Sequence, residues 1–305
     1  MTRVAITGAN GFIGSALVRE FSQRTQVLPV VRHTDGGKPG AVAVGDIGPW
    51  TDWRAALQDV DVVVHCAGRA HVLRETSGDP LAAFRRVNRD GTVALARAAA
   101  ASGVRRLVFL SSVGVMGRPC AADGLISDDD QPAPVQDYAV SKREAELELE
   151  VVGRETGLEI VIVRPPLVYG PDAPANFNRL LRLVDSRLPL PLGLVHAKRS
   201  FIGIRNLADV LWACVEAPAA AGRSFLVSDG EDISTADLIR RIASHMGRSA
   251  ILLSVPPVAL RLAAKVTGRD DDVDRLLSPL RVDISSTCRV LGWRPRVPVE
   301  DELAA

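Results

Sequence analysis

Short apolar runs alternate with amphipathic stretches through the first two-thirds of this 305-residue chain. Arg3-Val4-Ala5-Ile6-Thr7 reads as a strand, and residues 15–21 follow with helical periodicity. The strand pattern recurs at residues 26–32, 41–46, 60–68, 106–112 and 159–164. Helices are predicted at 53–57, at 88–102 and in a segment ending near 156. Near-continuous apolar strands separated by helices imply an α/β fold: a Rossmann-type, doubly wound parallel sheet covered on both faces. Beyond Pro171 the pattern loosens. Proline and glycine crowd residues 165–193, then come one more strand at 224–227, a helix at 235–245 and an irregular tail running through Leu291-Gly292-Trp293. Residues 255–266 are strongly apolar with Arg261 and Lys265 interposed, and read as a helix packing on a second lobe.

The turn after the first strand is Gly8-Ala9-Asn10-Gly11-Phe12-Ile13-Gly14. Strand, glycine-rich turn and helix form the context of a dinucleotide fingerprint. Gly8 permits the tight turn, Gly11 lets backbone approach a pyrophosphate, and Gly14 lets the helix pack close to the strand. The helix then offers its N-terminal N–H groups to phosphate. The expected organisation is therefore an NAD(P)-binding Rossmann domain over residues 1–170, with later segments returning to it. Residues 171–305 then form mainly a smaller substrate-binding lobe over the carboxyl edge of the sheet.

Composition narrows the classes. Net charge is +1, which gives no electrostatic argument for nucleic acid or a membrane surface. Aromatic residues make up 4%, too few for a base-stacking platform. Cys66, Cys120, Cys214 and Cys288 are scattered, without metal-ligand or disulfide spacing. That suits a reducing, cytoplasmic setting. No signal peptide, spanning segment or metal site is expected. The acidic triplets 128–130 and 270–272 read as solvated loops.

Tyr138 and Lys142 stand four residues apart, on one face of a helix. A tyrosine titrates near ~10. An adjacent ammonium favours the phenolate, and lowering the value to ~7 takes roughly 4 kcal/mol of differential interaction. The pair is then a proton-transfer device.

Further motifs accompany it: His65-x-Ala67-Gly68, Asn88-x-x-Gly91-Thr92, Ser111-Ser112 closing a strand, the run Arg164-Pro165-Pro166-Leu167-Val168-Tyr169-Gly170-Pro171, and Arg199-Ser200-Phe201-Ile202. With the glycine turn they make the chain resemble the extended short-chain dehydrogenase/reductases of the NAD-dependent epimerase/dehydratase family. Within it, Ala175-Asn176-Phe177 and Phe225-Leu226-Val227-Ser228-Asp229-Gly230-Glu231 look most like bacterial UDP-glucose 4-epimerase homologues and UDP-N-acetylquinovosamine 4-reductases. The resemblance implies a catalytic set of Ser112, Tyr138 and Lys142: Ser112 orients the sugar oxygen, Tyr138 is the acid/base, and Lys142 holds the nicotinamide ribose. It implies cofactor contacts at Gly8, Gly11, Phe12, Ile13 and Gly14. Asp46 and Ile47 are implied at the adenine, Ala67, Gly68, Asn88 and Ser111 along the channel, and Pro165 and Val168 at the nicotinamide. Asn176 and Arg199 are implied to hold the nucleotide-sugar, together with Ser112 and Tyr138. A homodimer through the helices at 88–102 and 138–156 is implied too.

Two positions depart from the family pattern. Met116 stands where a tyrosine usually shapes the sugar side of the pocket. The second strand ends Val30-Val31-Arg32-His33, without the acid that binds the ribose diol of NAD; Arg32 can take a 2′-phosphate instead. The reading therefore inclines to NADP(H), with NAD(H) also admitted. His65 is read as structural, His71 as a substrate contact or a surface-loop residue, and His196 and His245 as uninvolved. No acid follows Ser112, only Val113 and Gly114, which speaks against 4,6-dehydration. The expected activity is reduction of a UDP-4-keto-6-deoxy-N-acetylhexosamine at C4. The alternatives are a UDP-hexose or UDP-N-acetylhexosamine 4-epimerase and, last, a non-catalytic cofactor sensor.

Overall fold

The computed structural model describes residues 2–34, 40–70, 78–117, 119, 123–173, 176–186, 188–268 and 270–304. The chain begins with β1 (Arg3–Thr7), α1 (Phe12–Phe21), β2 (Gln26–Val31) and β3 (Val42–Ala43). It continues through α2 (Arg54–Leu57), β4 (Val62–His65), α3 (Pro80–Arg85) and α4 (Gly91–Ala101). Then come β5 (Arg106–Leu110), β6 (Leu125–Ile126), α5 (Asp137–Thr156), β7 (Glu159–Arg164) and β8 (Leu167–Tyr169). The later part holds α6 (Asn176–Asp185), β9 (Lys198–Gly203), α7 (Ile204–Glu216), β10 (Arg223–Leu226), β11 (Asp232–Ser234) and α8 (Thr235–His245). It closes with α9 (Pro257–Thr267), α10 (Asp270–Leu277), β12 (Arg281–Val282), α11 (Ser285–Leu291) and α12 (Val299–Leu303).

Seven strands form one parallel sheet in the order β10-β7-β5-β4-β1-β2-β3. The chain starts in the middle, builds outward to β3, then crosses back to β4 and builds the other way. The switch between β1 and β4 opens a crevice at their carboxyl ends, where such sheets bind ligands. Side chains alternate across the strands. Val4, Ile6, Val62 and Val64 pack toward α1 and α7 with Leu17, Phe21, Leu207 and Leu211. Ala5, Val63, Leu107 and Phe109 pack toward α4 and α5 with Leu95, Leu149 and Val152. Both faces are covered, as the apolar strands require.

Arg106 is almost wholly buried beneath this sheet. Its Nη1 donates to the carbonyls of Cys214, Val215 and Ala217 at 2.7, 3.0 and 2.8 Å, and its Nε to Glu159 at 2.7 Å. One guanidinium thus satisfies the open carbonyls at the end of α7.

A three-stranded sheet, β11-β9-β8, stands beside the main one, with its own core of Phe177, Phe201, Leu238 and Ile239. The terminal helix locks onto it. Buried Glu302 accepts from Arg205 N at 3.2 Å and Nε at 2.7 Å. A Cβ on Gly203 would lie 2.5 Å from Glu302 Cγ, so glycine is what admits this side chain.

Several expectations shift. The third strand is only two residues long. The helix expected at 88–102 begins earlier, at α3, whose start is capped by Asp79 Oδ1 accepting from Ala82 N at 3.0 Å. It reaches α4 through a π-helical turn, Arg86–Asp90. The tail expected to be irregular contains α11 and α12. The apolar run at 255–266 does form a helix, but only Ala264 of α9 is buried, and Val258, Leu262 and Val266 are exposed. The helix packs against α10, with Arg261 Nε 3.5 Å from Asp274 Oδ1, while this apolar face stays exposed. Among the described residues, no helix is long and apolar enough to cross a membrane and no cluster of side chains could hold a metal ion.

Candidate active site

The glycine turn closes on itself at the end of β1. Gly8 sits at φ +68°, and Gly11 N donates to Gly8 O at 2.8 Å. A Cβ on Gly14 would lie 2.2 Å from Gly8 O, and one on Gly8 would lie 2.9 Å from Ala67 N. Neither position has room for a side chain. Gly11 is the N-cap of α1 and supplies no side-chain acceptor. The first-turn N–H groups therefore face the crevice as an anion cradle, which fits a dinucleotide pyrophosphate. Phe12 and Ile13 are partly buried and anchor this turn against the core.

At the end of β4, His65 is fully buried. Thr7 Oγ1 lies 2.6 Å from its Nδ1, Thr92 Oγ1 lies 3.0 Å from its Nε2, and Ala67 N donates to Thr7 Oγ1 at 3.2 Å. A threonine hydroxyl thus meets each ring nitrogen, which holds the imidazole between β1 and α4. Burial and the Lys142 charge hold the imidazole neutral, with its pKa pushed down to about 3. His65 is thus a cross-link between β1, β4 and α4, in keeping with its structural reading. The thiol of Cys66, next along the chain, is pushed up to about 12 by burial.

Asn88 lies in the π-helical turn and is buried. Its Oδ1 accepts from Arg69 N at 2.7 Å, and its Nδ2 donates to Arg69 O at 3.0 Å and to Ser141 Oγ at 3.0 Å. Ser141 in turn donates to Tyr138 O at 2.8 Å. A Cβ on Gly68 would meet Asn88 Oδ1 at 3.1 Å and Lys142 Nζ at 3.5 Å. Asn88 therefore ties the Gly68–Arg69 backbone to the helix of Tyr138. A π turn spends one extra residue per turn and often marks functional sites.

Lys142 is buried at the end of β5. Its Nζ donates to Leu110 O at 2.8 Å and lies 4.4 Å from the Phe109 ring centre. Desolvation pushes its pKa down to about 8. Tyr138 is half-buried, with Phe84 against its ring at 6.0 Å between centroids. Desolvation pushes its phenol up to about 12. This corrects the expectation that the neighbouring lysine acidifies it: here the ammonium is committed to Leu110, and loss of water dominates. Ser112 Oγ accepts from Gly114 N at 3.1 Å. A Cβ built on Gly114 would have Ser112 Oγ at 3.3 Å and Ala139 Cβ at 3.5 Å, so Ser112 lies beside the first turn of α5. Ser112, Tyr138, Lys142, Gly68 and Asn88 are thus gathered at the carboxyl ends of β4 and β5.

Other positions differ from expectation. Ser111 Oγ donates to Glu146 Oε1 at 2.6 Å. Met116 is buried, and its sulfur accepts from Arg164 Nη1 at 3.4 Å. Pro165 O accepts from Val113 N at 2.8 Å, joining β7 to the Ser112 turn, and Val168 lies in β8. Ile47 packs on Gly91, where a Cβ would lie 2.4 Å from its Cγ2. Asp46 Oδ1 is 3.2 Å from Arg32 Nε, with both side chains exposed. Arg199 Nη1 donates to Ser278 O at 2.8 Å. His71 and the side chain of Asn176 lie outside the described residues.

Sequence reading missed three supports. Buried Glu146 accepts from Arg164 Nε and Nη2 at 3.0 and 2.8 Å and from Arg143 at 3.0 Å. The guanidinium of Arg69 lies 5.5 Å over Phe84, which in turn meets Tyr138. Asp229 accepts from Tyr169 Oη at 2.8 Å, Asn206 Nδ2 at 2.7 Å and Gly203 N at 3.0 Å. Glu146 stands four residues after Lys142 on the same helix face, a spacing that could have revealed the first.

A family model described as the NAD dependent epimerase/dehydratase family matches residues 4–228. The chain belongs to this family, the extended short-chain dehydrogenase/reductase class of enzymes. A UDP-glucose 4-epimerase of Vibrio cholerae is 42% identical over 296 residues, 96% of this chain and 90% of that protein. Among solved structures, UDP-glucuronic acid 4-epimerase from Bacillus cereus in complex with NAD aligns with a TM-score of 0.79 at 23% identity, covering 100% of this chain and 95% of that one. RMD from Pseudomonas aeruginosa complexed with NADPH aligns at 0.74 and 21%, covering 100% and 97%. At those identities the two structures speak for the fold.

Proposed function

We propose that the protein is a nucleotide-sugar 4-epimerase acting on a UDP-hexose or UDP-N-acetylhexosamine. The observation that carries this reading is the 42% identity to the Vibrio cholerae epimerase along 96% of the chain. It reverses the order expected from sequence, which put the 4-keto reductase first. The gathering of Ser112, Tyr138 and Lys142 at the crevice supports C4 redox chemistry in either case.

In this reading Tyr138 Oη takes the C4 hydroxyl proton as C4 becomes a carbonyl, and returns it once the sugar has turned. Ser112 Oγ holds the C4 oxygen in line. Lys142 fixes the cofactor ribose and adds positive charge beneath the reacting atoms. Gly8, Gly11 and Gly14 admit the pyrophosphate, Ala67, Gly68 and Asn88 border the channel, and Pro165 and Val168 face the nicotinamide. Arg199 and Asn176, on the smaller lobe, hold the nucleotide diphosphate. A bound oxidised nicotinamide supplies a hydride acceptor and a ring charge that favours the phenolate. The four-helix pairing of α4 and α5 with a second copy is the proposed dimer.

The test incubates purified protein separately with UDP-glucose, UDP-N-acetylglucosamine and a UDP-4-keto-6-deoxyhexosamine. An epimer mixture at constant NAD(P)H absorbance is the expected result. Stoichiometric NAD(P)H consumption on the keto sugar, with no epimer from the other two, returns the assignment to a reductase.

A further inference from the structure

Two side chains of α5 hold the end of β5, and the residue they leave over is Ser112. Leu110 O accepts from Lys142 Nζ at 2.8 Å, and Ser111 Oγ donates to Glu146 Oε1 at 2.6 Å. Lys142 and Glu146 stand four residues apart on one helix face, so α5 grips consecutive residues of the strand end. Glu146 also reaches the other side of the Ser112 turn. Its carboxylate takes Arg164 as a fork, Nε at 3.0 Å and Nη2 at 2.8 Å, and Arg164 Nη1 donates to Met116 Sδ at 3.4 Å. Arg143 closes the outer side at 3.0 Å. The backbone completes the frame: Ser111 N donates to Val163 O and Val113 N to Pro165 O, both at 2.8 Å. Ser112 thus lies between two main-chain bonds to the Arg164 segment, with a side-chain clamp at each end of its turn, at Ser111 and at Met116.

The Glu146 carboxylate is fully buried, and an apolar pair of similar volume would fill this space without the cost of desolvating charge. Such a pair would not hold the Ser111 hydroxyl and the Arg164 fork in fixed directions. The negative charge also supports the Lys142 ammonium against desolvation. We propose that Glu146 is a positioning residue: through Ser111 and Arg164 it fixes the Ser112 hydroxyl against the first turn of α5, in line with the substrate oxygen. The inference rests on the role given to Ser112 in the 4-epimerase reading. A shift of ~1 Å in such a group costs on the order of 10²-fold in rate, so a small loosening of this turn is felt in the chemistry.

The experiment measures kcat and KM with UDP-glucose and UDP-N-acetylglucosamine, NAD⁺ affinity by calorimetry, and the melting temperature. Ser111→Ala keeps the Glu146–Arg164 pair and removes only the hydroxyl. Its kcat is expected to fall about ten-fold, with KM and NAD⁺ affinity within about two-fold of wild type. In a Ser112→Ala background the same change should cost less than about two-fold, because its effect runs through Ser112. Glu146→Leu combined with Arg164→Met should melt close to wild type and still turn over slowly. Unchanged kcat in Ser111→Ala, losses that multiply in the double serine variant, or turnover that returns with stability in the Leu–Met variant would each reduce Glu146 to a structural support and overturn the proposal. A wild-type chain that turns over neither sugar overturns the 4-epimerase reading itself and removes the inference with it, a result seen before any variant is made.

Discussion

Lys142 Nζ donates to Leu110 O at 2.8 Å, so the buried cation of α5 is tethered to the last residue of β5. This contact sets the height of the Tyr138 helix over the sheet. It also places an ammonium where water is absent, above the face of Phe109. Charge in such a site costs stability, and the cost is the reverse of what a structural residue would be selected for.

Replacing Lys142 by methionine should therefore abolish turnover while leaving the fold at least as stable at pH 7. The shift from 10.5 to about 8 corresponds to a penalty of about 3 kcal/mol. Against that, Leu110 O loses a donor, worth about 1–2 kcal/mol. The pH dependence gives the sign. Between about pH 8 and 10.5 the unfolded lysine binds a proton that the folded one has lost, so wild-type stability rises with pH there relative to the variant. Below pH 8 both states are charged and the penalty is fully present. Denaturant titrations of the two proteins at pH 7 and pH 10 check both statements.

Tyr138→Phe removes the hydroxyl and keeps the ring that packs on Phe84. Turnover should fall by about 10²–10⁴-fold, while dinucleotide affinity changes by less than about two-fold. Calorimetry beside steady-state kinetics separates the two; near-normal turnover would remove Tyr138 from the chemistry.

His65 should make the protein acid-sensitive. Its folded value of about 3 lies well below the free value of 6.5, so it stays neutral in the fold and takes a proton only on unfolding. Its contribution is complete above pH 6.5 and is lost as pH falls from there toward 3, at up to about 1.4 kcal/mol per pH unit. His65→Gln should be less stable at pH 7 and flatter between pH 6.5 and 4, which thermal melts across that range would show.

Glu146 and Arg164 should behave as a pair. Glu146→Leu strands a buried guanidinium and is expected to cost about 3–5 kcal/mol. Adding Arg164→Met should recover most of that loss, because an apolar pair of similar volume needs no counter-charge. A double-mutant cycle by chemical denaturation measures the coupling; additive losses would show that the two charges do not depend on one another.

The parallel sheet and the glycine turn were legible because period and spacing are local properties. Val62, Val63 and Val64 are apolar in succession because both faces of β4 are covered, and that pattern needs no partner to be seen. The chemistry of Tyr138 was legible only in part. Its four-residue offset from Lys142 is local, but the loss of water that raises its pKa comes from Phe84 and the sheet beneath it. The contact of Asp46 with Arg32 was not legible for the same reason. Read along the chain Asp46 is fourteen residues from Arg32, and only the β2–β3 register brings the two together. The exposed stripe of α9 was read as packed because apolar spacing identifies a face without saying what covers it.

One consequence follows from the place of β10. It completes the main sheet by pairing with β7, yet residues 165–222, which carry smaller-lobe elements as well as α7, are synthesised between them. Until it docks, the backbone of β7 from Val161 to Arg164 presents an unpaired apolar edge, the kind of template on which chains aggregate. A fragment ending near residue 170 would carry that raw edge permanently. Such a fragment is expected to aggregate on expression unless a substitute strand covers β7.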